Sequence, residues 1–434
     1  MDEPVARKLA RISPSTLLTG ALILFFVVLS IPYAYKVLHG GTAIVRWRLE
    51  VQNLDRDIYE EFNYPNPPIM AILLTKMAQL PPLADALCWF YLKAAMTLLA
   101  IFWTFRIVES PGRPFPVWAK VLTVLLAMRP IMGDFQHGNI NLFILFLVIG
   151  SLFAYCRNYD WTSGVVLGLA IACKVTPALF VPYFLWKRAW KCLAGCALGL
   201  VLFLFIVPAS VLGVERNRQD FASWWKHMVE PYVVGGQVTS DHPNQSLPGL
   251  LFRLGSASPS FYDQRGVPYR YDNLLSLDPK KIGWLLKGCM ALFAGLIVWT
   301  CRTPTQPRSG WRLAAEFSLV IVGMLMFSER TWKHHCVTLL LPFGVLCYYL
   351  AVCKPTPALR TAIVTGLVLS MLLMASTSTS LVILPVESAK MAQVYGAYLW
   401  IFLILAGLLA WMLRRGEPAA QGSPAAAPAS AAAA

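Results

Sequence analysis

Two adjacent histidines, His334 and His335, lie in a polar segment between two apolar segments late in the chain. The polar segment, residues 328–335, reads Ser-Glu-Arg-Thr-Trp-Lys-His-His, and the apolar residues 311–327 and 336–350 flank it. Imidazoles and cations of this kind can hold a phosphate. Because burying charge in hydrocarbon is costly, the segment belongs at a membrane face or in a functional cavity. The plainer alternative is an interfacial loop with two solvated histidines.

Three further polar clusters, residues 55–68, 133–141 and 241–249, supply groups that complement the histidines. Their carboxylates can act as a base, and their amides can bind hydroxyl groups. The candidate catalytic residues are Asp55, Asp57 and Asp134. The candidate substrate-binding residues are His334, His335, Arg330, Arg129, His137, Asn139, Asn244, Gln245 and Lys174. Together these groups indicate a group-transfer site that faces a lipid-linked substrate.

Each local spacing also has an ordinary structural interpretation. Asp55 and Asp57 share a face only if their segment is extended. Asp134 and His137 would share a helical face, or Asp134 would cap a helix beside an uninvolved histidine. Lys174, at a helix break before a proline, either extends to the interface or binds an anionic head group.

The composition is that of a membrane protein. Of the 434 residues, 57% are hydrophobic and only 14% are charged, with a mean hydropathy of +0.58. A soluble protein carries about 25% charged residues. The excess of 37 Lys and Arg over 22 Asp and Glu is first a topology signal in such a chain, so we expect no nucleic acid partner. No Cys or His spacing indicates a metal site, and we expect no cofactor.

Apolar segments separated by short basic loops predict an all-α polytopic membrane protein. The twelve predicted spans are residues 17–38, 85–105, 117–132, 140–155, 162–174, 177–186, 192–213, 283–300, 311–327, 336–352, 361–384 and 394–413. The two short spans around residues 176–177 could form one broken or re-entrant hairpin, so we expect about 10–12 transmembrane helices.

The basic residues predict the orientation of these spans. They fall on alternate loops, which the positive-inside rule assigns to the cytoplasm together with both termini. These residues are Arg106, Arg113, Lys120, Arg157, Lys187, Arg188, Lys191, Arg302, Arg308, Arg312, Lys354, Arg360, Arg414 and Arg415, after Arg7, Lys8 and Arg11 at the N-terminus. All four polar clusters then share the opposite side.

The predicted domain organisation is one transmembrane domain, residues 1–416, followed by a disordered cytoplasmic tail rich in Ala and Pro, residues 417–434. Two long extracytoplasmic loops, residues 40–84 and 214–282, belong to the domain. The apolar residues 69–74 within the first loop are too few to span a membrane and predict an interfacial helix.

Several motifs, taken in order, resemble glycosyltransferase family 87. They are residues 136–141 before an apolar run, Gly-Leu-Ala-Ile-Ala-Cys-Lys-Val-Thr-Pro ending at Pro177, Asn-Gln-Ser-Leu at residues 244–247, and Ser328 with Trp-Lys-His-His at residues 332–335. The resemblance covers about residues 57–350. This family comprises integral-membrane, mannosyltransferase-like enzymes of the GT-C class, among them polyprenol-phosphate-mannose-dependent enzymes of actinobacterial glycolipid synthesis.

The resemblance implies a GT-C-like bundle in the inner (plasma) membrane. It implies that a hexose, in the best-known cases mannose, passes with inversion from a polyprenyl-phosphate donor to a lipid or glycan acceptor outside the cytoplasm. It also implies an acidic base in the first outer loop. The family places that aspartate shortly after the first span, where this chain has Gly41-Thr42-Ala43. Asp55, Asp57 or Asp134 therefore takes this role, or the chemistry of this branch is altered.

In this interpretation the base is Asp57 or Asp134, and the phosphate is held by His334, His335, Arg330 and Arg129. Asn139, Asn244 and Gln245 would bind sugar hydroxyls. A transporter or lipid flippase is the competing interpretation, and it predicts ionisable residues near mid-span and an internal repeat. Apart from Lys93, Lys174, Lys287 and Glu316, the charges lie at span ends, which favours the enzyme. A third interpretation is a catalytically inactive scaffold descended from such enzymes.

Overall fold

The computed structural model describes residues 13–40, 43–263, 265–378 and 385–415, without the side chains of residues 43–46. The first helices are α1 (Pro14–Leu38), α2 (Ala43–Gln52), α3 (Ile58–Phe62), α4 (Pro68–Ala78), α5 (Pro82–Val108), α6 (Val117–His137), α7 (Asn141–Cys156) and α8 (Asp160–Cys173). A 3-10 turn, Thr176–Leu179, then leads into α9 (Phe180–Trp186) and α10 (Trp190–Val201). A π-helical segment, Leu202–Ile206, continues α10 into α11 (Val207–Leu212).

The second half contains the larger outer loop and the remaining helices. The loop carries α12 (Val214–Trp224), the π-helical segment Trp225–Val229, α13 (Glu230–Val233), α14 (Leu247–Gly255) and the antiparallel strands β1 (Phe261–Tyr262) and β2 (Pro268–Arg270). After it come α15 (Pro279–Thr300), α16 (Trp311–Met326), a 3-10 helix Lys333–Leu339, α17 (Leu340–Val352), α18 (Pro357–Ser376), α19 (Val386–Val394) and α20 (Ala397–Arg415).

Seven helical stretches in the described residues are long and apolar enough to cross a membrane. They are α1, α5, the continuous stretch Trp190–Leu212, α15, the stretch Lys333–Val352, α18 and α20. Each of the twelve predicted spans overlaps a helix, so the prediction of an all-α polytopic membrane protein is confirmed. The last residues of the predicted span 361–384 lie outside the described residues. The basic N-terminal residues and the predicted tail also lie outside them.

The core of the bundle surrounds α16 and α17. Every residue of α16 except Arg312 is buried, and so are residues 340–349 of α17. By contrast, only Ile282 and Thr300 are buried in α15. A helix that is apolar on all sides must be covered by protein or by lipid. We conclude that α16 and α17 are covered by protein, whereas α15 presents its apolar surface to lipid.

Helices α8 and α10 pack so closely that their backbones touch. A Cβ atom added at Gly164 would lie 2.1 Å from the carbonyl oxygen of Cys192, and one at Gly199 would lie 2.7 Å from that of Val165. Small residues spaced by four allow membrane helices to approach in this way. This contact fixes the direction of α8, and therefore the position of Lys174, which directly follows its last residue.

The predicted cytoplasmic loops meet at one end of the bundle. There Lys187 forms an ion pair of 2.9 Å with the buried Glu316, and Arg308 pairs with Asp160. Arg312 donates to a carbonyl oxygen at the end of α20, over 2.8 Å. These contacts agree with the predicted alternation of the loops. They also give Glu316, which the sequence presents as a charge inside a span, a buried partner.

Candidate active site

The turn between α6 and α7 contains a buried ion pair. Gly138, with a φ of 65°, ends α6 in the left-handed conformation that a residue without a Cβ adopts readily. Just before it, Asp134 accepts from the Lys93 ammonium over 2.9 Å, and both side chains are fully buried. Lys93 also donates to the carbonyl oxygens of Asp134 (3.2 Å) and Asn139 (2.9 Å), which uses its three protons.

The second carboxylate oxygen of Asp134 connects this pair to α8. It accepts from the backbone N–H and from the side-chain amide of Asn141, each over 3.0 Å. The amide oxygen of Asn141 in turn accepts from the Lys174 ammonium over 2.6 Å. Both oxygens of Asp134 are therefore engaged. As a result, Asp134 has no oxygen directed at a substrate.

Lys174 and Asn141 line a cavity beside the turn between α6 and α7. Its other polar lining side chains are Thr176, Thr338, and Ser328, Thr331 and His335 of the polar segment 328–335, which we call the island. Ile144, Met324 and Leu325 supply the apolar part of the lining. In the described part of the chain, no group of three or more His, Cys, Asp and Glu side chains could hold a metal ion. A cation, an imidazole and several hydroxyl groups facing one space suit a phosphate.

The two neighbouring histidines differ in their surroundings. His334 is buried, its Nε2 lies 2.8 Å from the side-chain amide nitrogen of Asn139, and its ring centroid lies 5.1 Å from that of His137. His335 lines the cavity, and its ring stacks on Trp332 at a centroid distance of 6.1 Å. Three of the predicted residues, His137, Asn139 and His334, therefore form one group beside the cavity.

The larger outer loop is tied to the island by amide hydrogen bonds. The Asn244 amide donates to the carbonyl oxygens of Thr239 (2.7 Å) and Glu329 (2.8 Å) and accepts from the backbone N–H of Thr331 (2.9 Å). The Gln245 amide donates to a carbonyl oxygen in α19 and accepts from a backbone N–H of α20. Both amides thus hold loops together in this structure, and their predicted contact with a sugar stays a prediction.

Two predicted arginines lie at the edges of this region. Arg330 donates to the Thr239 hydroxyl over 2.9 Å and is partly exposed. Arg129 donates to the Ser378 hydroxyl over 3.1 Å, next to the end of α18. The structure therefore places Arg330 at the contact between the island and the outer loop, and Arg129 beside α18.

The first acidic cluster contacts a different part of the outer loops. Asp57 caps α3 by accepting from the backbone N–H groups of Tyr59 (3.0 Å) and Glu60 (3.1 Å). The Ser223 hydroxyl of α12 lies 2.6 Å from its Oδ2. Burial raises the pKa of Asp57, but the Ser223 hydroxyl and the two N–H groups lower it further, so the net shift is downward. Asp55 is exposed.

The first loop nevertheless reaches the helix that carries Lys174. After α3, the Tyr59 and Tyr64 rings pack at a centroid distance of 6.1 Å, and the following helix α4 packs against α8. The predicted short helix in this loop is present as α4, with Ile69, Met70 and Leu74 buried. The cluster of Asp57 is thus linked to the cavity through α4 and α8.

Sequence reasoning missed three participants. Lys93 appeared only as a charge inside a span, although a buried lysine requires a partner and Asp134 was a candidate. Asn141 was part of a polar cluster without a role of its own. Ser223 of α12 carries no signal that would connect it with Asp57, because the two residues are 166 positions apart.

The model of glycosyltransferase family 87 matches residues 64–328, which is more than half of the chain. The chain belongs to glycosyltransferase family 87. The match contains Lys174, Asn141, the larger outer loop and the first residue of the island. No solved structure matches the chain.

Curated relatives agree with this family 87 assignment. The polyprenol-phosphate-mannose-dependent alpha-(1-2)-phosphatidylinositol mannoside mannosyltransferase of Mycolicibacterium smegmatis is 28% identical over 360 residues, 78% of this chain and 73% of the relative. The enzyme of the same name from Mycobacterium tuberculosis is 29% identical over 291 residues, which are 64% of this chain and 60% of the relative. An alpha-(1->3)-arabinofuranosyltransferase of Corynebacterium glutamicum is 28% identical over 176 residues, 38% of each chain.

Family 87 membership settles the general class of activity. The chain is an integral-membrane glycosyltransferase, and the comparisons give no support to a transporter or flippase. For this family 87 protein, the cavity at Lys174 and His335 is the described site whose side chains suit a phosphate.

Proposed function

We propose that this protein transfers a hexose from a polyprenyl-phosphate donor to a lipid or glycan acceptor, at the extracytoplasmic face of the plasma membrane. One observation carries the proposal: the Lys174 ammonium lines a cavity with His335 and three threonine hydroxyls, and it donates to an uncharged amide oxygen, that of Asn141, 2.6 Å away. A buried cation favours an anionic partner. A lipid phosphate entering from the membrane would supply that charge.

Lys174 and His335 would bind the phosphate of the donor, and His334 would support them from its position beside Asn139. The acceptor oxygen attacks the anomeric carbon, and the bond from that carbon to the phosphate oxygen breaks. The acceptor proton passes to a carboxylate, and the polyprenyl phosphate leaves with the bonding electrons. Stabilising the charge that develops on the phosphate is then the largest contribution of the site.

We assign the base to Asp57. Its Oδ1 accepts from two backbone N–H groups of α3, whereas its Oδ2 has one partner, the Ser223 hydroxyl. The side chain is partly exposed, so Oδ2 can still accept a proton from a substrate, and the lowered pKa keeps the carboxylate ionised. Asp134 fits this role less well because its side chain is fully buried and its Oδ1 pairs with the Lys93 ammonium. Asp55, which is exposed, is the alternative within the same loop.

The activities for which the two mycobacterial relatives are named support mannose as the sugar, polyprenol-phosphate-mannose as the donor and phosphatidylinositol mannosides as the acceptors. An arabinofuranosyltransferase among the relatives makes a pentose the other sugar to test. The proposed topology places both termini in the cytoplasm, with one domain over residues 1–416, the loops 40–84 and 214–282 outside, and a cytoplasmic tail at 417–434.

The experiment uses the purified full chain in lipid nanodiscs. Polyprenyl-phospho-mannose is offered with phosphatidylinositol mannosides, and the products are identified by mass spectrometry. Transfer by the wild type, loss in Lys174→Met and retention in Lys287→Met on the lipid-facing α15 would support the proposal. Transfer from a nucleotide sugar, or none from polyprenyl-phospho-mannose or its arabinose counterpart, would overturn it. Reporter fusions in the two long loops test the orientation.

A further inference from the structure

Four side chains form a continuous hydrogen-bonded series from the middle of α5 to the cavity. Lys93 donates to Asp134 over 2.9 Å, Asn141 donates to Asp134 over 3.0 Å, and Lys174 donates to Asn141 over 2.6 Å. Lys93, Asp134 and Asn141 are almost completely buried. Only Lys174 and Asn141 reach the cavity wall, so the other two residues can act on a substrate only through them.

The chemistry of the four groups allows one arrangement of the series. An ammonium group only donates, and an ionised carboxylate only accepts. The NH₂ of the Asn141 amide must therefore face Asp134, and its oxygen must face Lys174. The carboxylate thus decides which end of the amide Lys174 meets. Without it, the amide could turn and present its NH₂ to the ammonium, which is a repulsive contact.

We propose that Asp134 is a positioning residue for Lys174 that acts through the side chain of Asn141. Lys93 neutralises the carboxylate, so the ion pair contributes no net charge to the cavity, and the positive charge there is that of Lys174. The inference rests on the proposed function, because the held ammonium is the one that binds the donor phosphate. It changes the role of Asp134 from a base to a group that never touches the substrate.

Two paired variants separate the positioning role from the alternatives. Asp134→Asn alone would leave Lys93 as an unpaired buried charge, so each variant also carries Lys93→Met. Lys93→Met with Asp134→Leu removes the acceptor that orients Asn141. Lys93→Met with Asp134→Asn keeps an acceptor oxygen for it. We expect the leucine pair to raise the KM for the polyprenyl-phospho-sugar by about 10- to 100-fold, the range for a lost hydrogen bond to a charged group. The asparagine pair should restore the KM to within a few-fold.

A double-mutant cycle tests the path through Asn141. Asn141→Leu and Lys174→Met should each raise the KM for the donor, and the double variant should be no worse than Lys174→Met alone. Lys287→Met serves as the matched control on α15, where the lysine lies over the ring of Trp284 and outside this series. Additive effects of the two single variants would overturn the proposal.

The outcomes also separate this inference from the proposed function. If the wild type transfers no sugar from a polyprenyl phosphate, the proposed function fails before any variant is compared. If the wild type is active and both Asp134 pairs lose kcat equally by several orders of magnitude, Asp134 is the base and the positioning role is wrong. An unchanged KM in the leucine pair would also refute it. Variants are compared on monodisperse protein with melting temperatures matched to the wild type.

Discussion

The side-chain amide of Asn244 donates over 2.8 Å to the carbonyl oxygen of Glu329, which lies 85 residues further along the chain. Asn244 is fully buried, and its amide oxygen accepts from the backbone N–H groups of Ser246 and Thr331. One side chain therefore satisfies backbone groups of both the outer loop and the island. Buried backbone groups that lose such partners cost about 1–3 kcal/mol each.

Asn244→Ala should detach the outer loop from the island. The variant leaves the carbonyl oxygens of Thr239 and Glu329 and the N–H of Thr331 without their side-chain partner. We expect at least a tenfold loss in kcat/KM and faster limited proteolysis between α13 and α14. Asn273→Ala is the control, since Asn273 is only partly buried and bonds within its own turn. Equal protease resistance in the two variants would contradict this account.

Gly164→Ala should separate α8 from α10. The added methyl group would lie 2.1 Å from the Cys192 carbonyl oxygen and 2.6 Å from the Cys196 nitrogen, and both are backbone atoms that cannot rotate away. Overpacking a tight contact costs about 1–3 kcal/mol or more. We expect a lower melting temperature in detergent and lower activity, because Lys174 follows α8 directly.

Gly288→Ala is the matched control for this prediction. Gly288 lies in α15 and a Cβ atom there would meet no atom within 4 Å. Alanine is favoured over glycine in helices by about 1 kcal/mol, so this variant should melt at the same or a higher temperature. A fall in melting temperature as large as that of Gly164→Ala would show that the close helix contact is not the cause.

Arg253→Lys should loosen the outer loop although it keeps the charge. The fully buried guanidinium donates to the carbonyl oxygens of Ser240 (3.0 Å), Val394 (2.9 Å) and Gln393 (3.2 Å), among others. Its burial lowers the pKa of Arg253 to about 10. A lysine cannot reproduce this planar set of donors. We expect a loss of about 3 kcal/mol or more in stability, measured by thermal melting, whereas Arg265→Lys on the exposed loop should change nothing.

The pH dependence of activity should report on the Ser223 hydroxyl. The pKa of Asp57 lies below its ordinary value of 3.8. Above pH 3.8 the carboxylate is ionised and its contacts contribute their full stability to the fold. This stability is lost as the pH falls through the lowered pKa. Ser223→Ala removes a contact that lowers the pKa. The acid limb of kcat/KM should then move to higher pH, while the limb of the exposed control Ser210→Ala should stay in place.

The sequence predicts the helices and their grouping well because both follow from apolar length and charge placement. The predicted span 283–300 corresponds to α15, and the clusters 133–141, 241–249 and 328–335 contact one another. Those features depend on the free-energy cost of burying a charged side chain in the membrane. This cost is a property of the residue type, so it can be read from the sequence without knowing which residues are neighbours in space.

The contacts between individual side chains could not be predicted from the sequence in the same way, because they join residues that are far apart in the chain. Asn244 and Gln245 have the residue types of a sugar-binding site, yet their amides bond to backbone groups of distant helices. Asp57 bonds to Ser223, 166 positions away. Only the pair of Lys93 and Asp134 could have been predicted, since a lysine inside a span needs a buried anionic partner and Asp134 lies at the end of a neighbouring span.

The hydrogen bond between Asn139 and His334 spans 195 positions of the chain. During synthesis, α6 to α8 therefore enter the membrane long before the island with its histidines exists. Until α16 and the island are made, Lys174 faces an incomplete wall and is open to lipid head groups. A ribosome-stalled product ending before residue 311 should consequently be recognised by membrane quality control, and release of the last five helices, α16 to α20, should complete the site in a single late step.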